Sequence, residues 1–244
     1  MRDVHFLSLV FHWFTTSSNW TGPNGILQLF YNQAKLSVAV VVGALIVGGG
    51  LGVILGHTGR GGLVAVNAAN AFRAVPTLAL LTLLAIQPNI SLTWSGFLAS
   101  WIALFILAVP PILTNTYVGM RNVDGDVRDA AKAMGLSGGQ VLRRVEAPLA
   151  LPFIMAGVRT ASIEVVATST LAAYVSYSDL GTFVISGLNG QDNVEAFGGA
   201  ILVAVLAALV AVGLGLVQRW LTPLPMRHQS RRHGVLGSGA IPVT

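Results

Sequence analysis

Cysteine is absent from this 244-residue chain, and charged residues make up only 9% of it. Without cysteine there is no disulfide framework, no cysteine-ligated zinc or iron–sulfur site and no cysteine nucleophile. A soluble domain carries roughly 25% charged residues, whereas here 54% of the residues are hydrophobic. This balance excludes a soluble or a disordered chain and indicates a membrane protein.

Runs without a single charged residue locate the membrane spans, because a helix needs about 20 apolar residues to cross the hydrocarbon core. The run from 74 to 120 is too long for one crossing and is broken by the turn-forming Gln87-Pro88-Asn89. A weaker span contains Arg159 and Glu164. We therefore predict an all-α integral membrane protein with about five transmembrane helices, near residues 36–56, 63–86, 94–119, 153–176 and 196–218.

The distribution of lysine and arginine predicts the orientation of these spans. Twelve of the 14 basic residues fall in the segments 56–62, 121–152 and the C-terminal tail or at the adjoining span ends, while Arg2 and Lys35 lie on the other side. The positive-inside rule then places the N-terminus outside and the C-terminus in the cytoplasm. Residues 1–34 form an extracytoplasmic segment, in which 6–14 is an interfacial helix or, alternatively, a sixth span. Residues 221–244 are predicted to be a disordered cytoplasmic tail.

Several predicted spans carry features that a simple membrane anchor lacks. Glycines at 43, 48, 49, 50 and 52 predict close approach of a neighbouring backbone. Polar residues in a span usually face the bundle interior or a water-filled path. We predict a translocation path lined by Pro76, Thr77, Glu164, Thr168 and Tyr174. The alternative is that Glu164 and the hydroxyl groups serve packing alone.

The segment 121–152 carries signals for a short helix with defined ends. Asp126 is the predicted N-cap, the helix runs to about Met134, and Gly135 follows where a left-handed residue is favoured. The alanines at 130, 131 and 133 give this helix a smooth surface that suits a partner's groove. A loop that covers the end of the bundle fits the spacing equally well.

A second short helix is predicted to begin at Ser137 and to end near Pro148. Ser137 and Gln140 have capping-box spacing. The stretch Leu136–Gln140 also spells LSGGQ, the signature string of ABC ATPases. A P-loop requires G-x-x-x-x-G-K-[ST], and neither Lys35 nor Lys132 ends such a motif. An ATPase is therefore excluded, and the string is assigned to helix capping.

The spacing of this loop resembles the EAA motif of permease subunits of binding-protein-dependent ABC importers. That motif reads Glu-Ala-Ala, three residues, Gly, nine residues and Ile-x-Leu-Pro. This chain keeps the spacing with Asp129-Ala130-Ala131, Gly135 and Val145-Glu146-Ala147-Pro148. In the family the segment is a cytoplasmic coupling helix that docks in a cleft of the ATPase. The resemblance assigns coupling to Asp129, Ala130, Ala131, Gly135 and Pro148.

Further segments resemble the osmoprotectant branch of that family, over about residues 35–220, which would form the transmembrane domain. They are residues 75–81, 115–117, 148–152, 156–161, 170–175 and 187–189. The branch imports glycine betaine, carnitine, choline or proline betaine. One departure is Ser176-Tyr177-Ser178-Asp179, which stands where the branch has a glycine-rich run before Leu-Gly.

The resemblance implies a transport subunit rather than an enzyme, in a bacterial cytoplasmic membrane. Its implied partners are a separate ABC ATPase, an extracytoplasmic substrate-binding protein, and a second copy or a paralogue of the permease. We expect no cofactor, metal site, catalytic set or nucleic-acid partner. Acidic residues at 179, 192 and 195 are expected outside, as a docking place for the binding protein or as solvated charges. The alternatives are a methionine or other amino-acid importer, and a channel or scaffold without ATP coupling.

Overall fold

The structure, a computed structural model, describes residues 2–87 and 96–221, and the side chains from residue 5 onward. The predicted turn at residues 88–89 and the predicted tail beyond residue 221 lie outside the described residues. The two described ranges are helical and contain no β-strand. Their helices are α1 (Arg2–Thr15), α2 (Ile26–Thr58), α3 (Gly62–Phe72), α4 (Thr77–Ala85), α5 (Phe97–Arg121), α6 (Gly125–Ala133), α7 (Gly138–Val175), α8 (Gly181–Asn189) and α9 (Asn193–Leu221).

Four of the described helices, α2, α5, α7 and α9, are long and apolar enough to cross a membrane. Helices α3 and α4 become a fifth candidate if they are counted as one span, although they are bent by 73° at the break between them. The prediction of about five spans therefore agrees with the fold. Within 63–86, however, the predicted single helix is two helices. Pro76 stands at the N-cap of α4, and its missing N–H and its ring disfavour a continuous helix through the break.

The N-terminal helix α1 lies against the beginning of α9 and against α8. The Phe6 and Phe197 rings meet edge to face with centroids 5.4 Å apart, and those of Trp13 and Phe183 do so at 5.2 Å. With 14 residues, α1 is shorter than the roughly 20 that a crossing requires. Its placement in the membrane interface remains a prediction.

Helix α5 occupies the centre of the bundle and packs against α2, α3, α4 and α7. The main core is formed where α2, α5 and α7 meet, and fully buried members from each helix include Val40, Ile112 and Val165. A second cluster joins α2, α7, α8 and α9 around Leu29, Leu180 and neighbouring residues. The core therefore fixes α7 between α5 and α9, which sets the position of the polar residues that α7 carries.

Glycines on α2 allow it to approach α5 closely, as predicted. A Cβ atom added at Gly52 would lie 2.7 Å from the Thr116 Cβ, and one added at Gly48 would lie 3.0 Å from the Val109 carbonyl oxygen. Gly50 is different, because a Cβ atom there would meet no atom within 4 Å. The contact is thus made by one glycine-lined face of α2.

These two environments give a matched pair of alanine substitutions in one helix. We expect Gly52→Ala to destabilise the protein by about 1–3 kcal/mol, because the added methyl group forces α2 and α5 apart. Gly50→Ala adds the same methyl group in open space and should be neutral or slightly stabilising, since alanine favours helix. Thermal unfolding of the purified protein in detergent measures both. Equal effects of the two substitutions would contradict close packing at Gly52.

Helices α2 and α7 each contain a five-residue π-helical segment, Leu45–Gly49 in α2 and Leu142–Glu146 in α7. A π turn holds more residues than an α turn, so the buried face resumes one residue later than the 3.6-residue period predicts. In α2 the buried face runs through Val40 and Ala44 and then continues through Gly48, Gly52 and Gly56. The π segment therefore brings the glycine face onto α5.

Candidate functional site

Helix α6, in the predicted coupling loop, has well-defined ends. The Asp124 carboxylate accepts a hydrogen bond from the Asp126 backbone N–H at 2.9 Å, so Asp124 is the N-cap and the prediction of Asp126 was wrong. Asp126 lies instead in the first turn, where the helix dipole also favours a negative charge. At the other end Gly135 has φ of +86°, the left-handed conformation predicted for it.

Two faces of α6 have different surroundings. Ala131 is 2% exposed and packs within the chain, so the expectation that it contributes to a smooth outer surface is corrected. The outer surface carries Val127, Ala130 and Met134, which share one helical face by their spacing. Met134 is 74% exposed. Helix α6 therefore presents an apolar stripe outward, while Asp129 is exposed beside it.

The inner side of α6 is held by a buried carboxylate on α7. Glu146 is 3% exposed, and its Oε2 lies 2.5 Å from the His57 Nδ1. Its Oε1 lies 3.1 Å from the Arg128 Nε, and the Arg128 guanidinium also donates to the Met120 carbonyl oxygen. These contacts connect α6 with the ends of α2, α5 and α7. Removing one partner of a buried ion pair destabilises a protein more than the intact pair stabilises it. The connection of α6 to the bundle is therefore sensitive to the loss of any one of these side chains.

The π segment places Glu146 on this inner side. Val141 and Glu146 are both buried and lie five residues apart, whereas an α-helix would bring Val145 to that face.

The predicted helix end near Pro148 was wrong, because the chain continues as a helix from Gly138 to Val175. Pro148 lies inside this continuous helix, directly after the π-helical segment. Neither His57 nor Arg128 was predicted here, since nothing in the spacing pairs residues so far apart in the chain.

The LSGGQ string forms the turn between α6 and α7. The Gln140 side-chain oxygen accepts a hydrogen bond from the Ser137 backbone N–H at 2.8 Å, and the predicted capping box of Ser137 and Gln140 is present. The string is thus used for helix initiation. Within residues 2–87 and 96–221, no three acidic or histidine side chains are grouped so as to hold a metal ion.

A second ion pair joins α7, a candidate membrane span, to the break between α3 and α4. Arg73, which ends α3, donates from Nη2 to the Glu164 Oε1 on α7. The side chains of Arg73 and Glu164 are 39% and 28% exposed, in contrast to the closed environment of Glu146. The Glu164 Oε2 is buried and has no hydrogen-bond partner among the described residues. Arg73 was missed as a partner because the sequence places it 91 residues away.

The other predicted path residues lie on both sides of this pair along the chain. Pro76 is exposed at the break between α3 and α4, and Thr77 is the half-buried first residue of α4. Thr168 is half-buried one turn beyond Glu164, and Tyr174 is 57% exposed near the end of α7. The structure joins Glu164 directly to the break region through Arg73. It gives no hydrogen bond from Glu164 to Thr168 or Tyr174 within the described residues.

The loop between α7 and α8 is fixed by buried polar groups. Asp179 is fully buried, so it is neither a solvated charge nor a docking residue, and that expectation is corrected. Its Oδ1 accepts from the Gly181 N–H at 2.9 Å, and Gln33 accepts from the Leu180 N–H at 3.2 Å. Ser176 has φ of +63°, in the region that favours glycine, at the place where glycines of the resembled branch are missing.

Burial raises the pKa of Asp179 from 3.8 to about 7. The folded protein therefore keeps a proton on Asp179 at pH values where the unfolded chain has released it, and the contribution of Asp179 to stability falls as pH rises from about 4 to about 7. We expect Asp179→Asn to remove this part of the pH dependence and to raise the unfolding temperature by several degrees at pH 8. Thermal unfolding between pH 4.5 and 8.5 measures it. Asp126→Asn, at an exposed carboxyl, is the control, and equal slopes for wild type and Asp179→Asn would contradict the expectation.

Comparison with known families places most of the chain in one of them. Residues 44–225 match the family described as "Binding-protein-dependent transport system inner membrane component". The match includes the second half of α2 and all of α3 to α9, and therefore every member of the two ion-pair groups described above. It covers well over half of the chain.

Several relatives of known activity are similar over most of their length. The choline transport system permease protein OpuBB of Bacillus subtilis is 33% identical over 207 residues, which are 85% of this chain and 93% of the relative. The glycine betaine/carnitine/choline transport system permease protein OpuCB of the same organism is 36% identical over 199 residues, 80% and 89% of the two chains. The carnitine transport permease protein OpuCD of Listeria monocytogenes is 34% identical over 205 residues, 84% and 90%.

Solved structures share the fold. An inward-facing structure of the MetNI methionine ABC transporter superposes with a TM-score of 0.70 over 79% of this chain and 94% of that chain, at 21% identity. A crystal structure of an amino acid ABC transporter with histidines gives a TM-score of 0.65 over 80% and 92%, at 19% identity. At these identities the likeness concerns the helical architecture alone.

Proposed function

The chain belongs to the family of binding-protein-dependent transport system inner membrane components, and from this premise we propose that it is the permease subunit of an ATP-driven importer of a compatible solute. The solute class is glycine betaine, carnitine, choline or proline betaine. The observation that carries the proposal is the similarity, over at least 80% of this chain, to permeases named for these solutes. Its role is transport rather than catalysis.

We propose the following membrane arrangement. Helices α2, α5, α7, α9 and the bent pair α3–α4 span a bacterial cytoplasmic membrane, with the N-terminus outside and α6 in the cytoplasm. The concentration of basic residues in and around 121–152 supports this orientation. The predicted flanking segments 1–34 and 221–244 then shorten to the residues before Ile26 and after Leu221, on opposite sides of the membrane.

The partners follow from this arrangement. A separate ABC ATPase binds α6. The exposed apolar stripe of α6 supports this assignment, because apolar side chains that project into the cytoplasm are suited to a protein partner. A second copy or a paralogue completes the translocation path. A substrate-binding protein delivers the solute on the outer side. Asp192 and Glu195 lie there, although both also serve the start of α9, where Asp192 accepts from the Glu195 N–H at 3.1 Å.

Uptake into proteoliposomes tests the function directly. The permease is reconstituted with its partner ATPase and binding protein, and ATP-dependent uptake of labelled glycine betaine, carnitine, choline and methionine is measured. We expect uptake of at least one quaternary ammonium solute and none of methionine. A non-hydrolysable ATP analogue is the control for coupling. Uptake of methionine alone would favour the amino-acid importer, and ATP-independent flux would favour a channel.

A further inference from the structure

The Arg73–Glu164 pair differs from an ordinary structural ion pair in its accessibility. Both side chains are partly exposed in the single chain, whereas the carboxylate of the other pair, Glu146, is only 3% exposed. Charged groups within a span are costly and are found facing the bundle interior or a water-filled cavity. A partly exposed ion pair within a span therefore lines a translocation path, or lies in a subunit interface that encloses such a path.

Neighbouring polar side chains extend this open region along α3. Asn67 and Asn70 are exposed and lie on the same side of α3 as each other, with Arg73 one turn further. Exposure of asparagine to lipid would leave amide groups without hydrogen bonds in hydrocarbon, which costs several kcal/mol per group. This side of α3 is therefore suited to water and solute rather than to lipid tails.

The position of Arg73 connects the pair to the break in the span. Arg73 is the C-cap of α3, and α4 begins at Thr77 after a 73° bend. The pair thus fixes the break region against α7, and opening the pair releases it. A solute that separates Arg73 from Glu164 would act where the backbone is already interrupted and can change direction.

We propose that Arg73 and Glu164 form a transit site for a zwitterionic quaternary ammonium carboxylate. In the unloaded path the two side chains neutralise each other. A zwitterion inserts between them, so that the Arg73 guanidinium donates to its carboxylate and the Glu164 carboxylate faces its cationic group. One ion pair is exchanged for two and the net charge does not change, which matters where charges are poorly solvated. The proposal rests on the proposed function and names a site for its solute.

A solute with only a positive charge provides the discriminating comparison. Choline has the quaternary ammonium group and no carboxylate, so it can use Glu164 but gains nothing from Arg73. Arg73 should therefore distinguish zwitterions from cations, while Glu164 should serve both. A purely structural ion pair would not separate the two solute types.

The experiment is uptake of glycine betaine and choline by the reconstituted complex carrying Arg73→Gln, Arg73→Lys or Glu164→Gln. We expect Arg73→Gln to lower glycine betaine uptake by at least about 10-fold while choline uptake changes by less than about 3-fold, in line with the loss of one charged hydrogen bond. Arg73→Lys, which keeps the charge, should recover most of the glycine betaine uptake. Glu164→Gln should lower uptake of both solutes.

The matched control is Arg159→Gln, which removes an exposed arginine of α7 that lies against Gly215 of α9. It should leave the ratio of the two uptake rates unchanged. An unchanged ratio in Arg73→Gln, with active wild type, overturns the transit site alone. Wild-type uptake of choline without any zwitterion also overturns it. Wild-type failure with glycine betaine, choline, carnitine and proline betaine alike overturns the proposed function and the site together.

Discussion

Met134→Asp should reduce ATP-driven uptake by at least about 10-fold, which corresponds to losing a central apolar contact of an interface. Met134 is 74% exposed at the end of α6 and belongs to the stripe that includes Val127 and Ala130. A carboxylate at this position would have to be desolvated in a groove of the ATPase. Since Met134 makes little contact within its own chain, the spans should fold normally.

Two measurements separate lost docking from lost folding. Co-purification of the ATPase with the permease should fall together with uptake, while the thermal unfolding temperature of the permease should stay within about 2 °C of wild type. Lys132→Gln is the control, because Lys132 is an exposed residue of α6 outside the stripe and pairs with Asp129 at 3.3 Å. Normal ATPase binding by Met134→Asp would show that the stripe is not the docking surface.

Glu146→Gln should destabilise the protein by about 3 kcal/mol, because it leaves the largely buried Arg128 without its carboxylate. For a chain of this size, that corresponds to a fall of about 6–12 °C in the unfolding temperature. Helix α6 should also detach from the bundle, so that trypsin cleaves faster after Arg128 and Lys132. ATP hydrolysis in the complex should then proceed with less uptake per ATP.

A double substitution identifies the cause of this loss. Arg128→Met removes the charge that Glu146→Gln leaves uncompensated, and hydrophobic replacements of buried ion pairs are often tolerated. The double variant should therefore be more stable than Glu146→Gln alone. If the two losses simply add, Arg128 and Glu146 do not act as a pair. Asp126→Asn serves as the control for loss of a negative charge on α6.

The sequence predicted the fold well because the membrane imposes simple length requirements. Charge-free runs located α2, α5 and α9, and the glycines of α2 predicted close approach of a neighbouring helix, although the sequence did not identify α5 as that neighbour. The bent pair α3–α4 was predicted as one helix, since the hydropathy of a segment does not show a change in the direction of the helix axis. Helix α8 lies between two predicted spans and was not predicted, because its nine residues are too few to form a membrane span.

The candidate site was predicted where chemistry is local and missed where it depends on distant pairing. Gly135 and the Ser137–Gln140 cap follow from neighbours a few residues apart. Arg73 with Glu164, and Arg128 with Glu146, depend on how separate helices meet, and a single sequence does not record that. Glu146 was further hidden by the π segment, which shifts the buried face by one residue.

The π segments also make the two longest helices tolerant of changes in chain length. In a regular α-helix, gaining or losing one residue turns every later side chain by about 100°, and a glycine face or a buried carboxylate would then point the wrong way. A five-residue π turn holds the surplus residue in one place. A surplus residue within Leu45–Gly49 or within Leu142–Glu146 is therefore accommodated while the helix ends and the cores on either side are preserved.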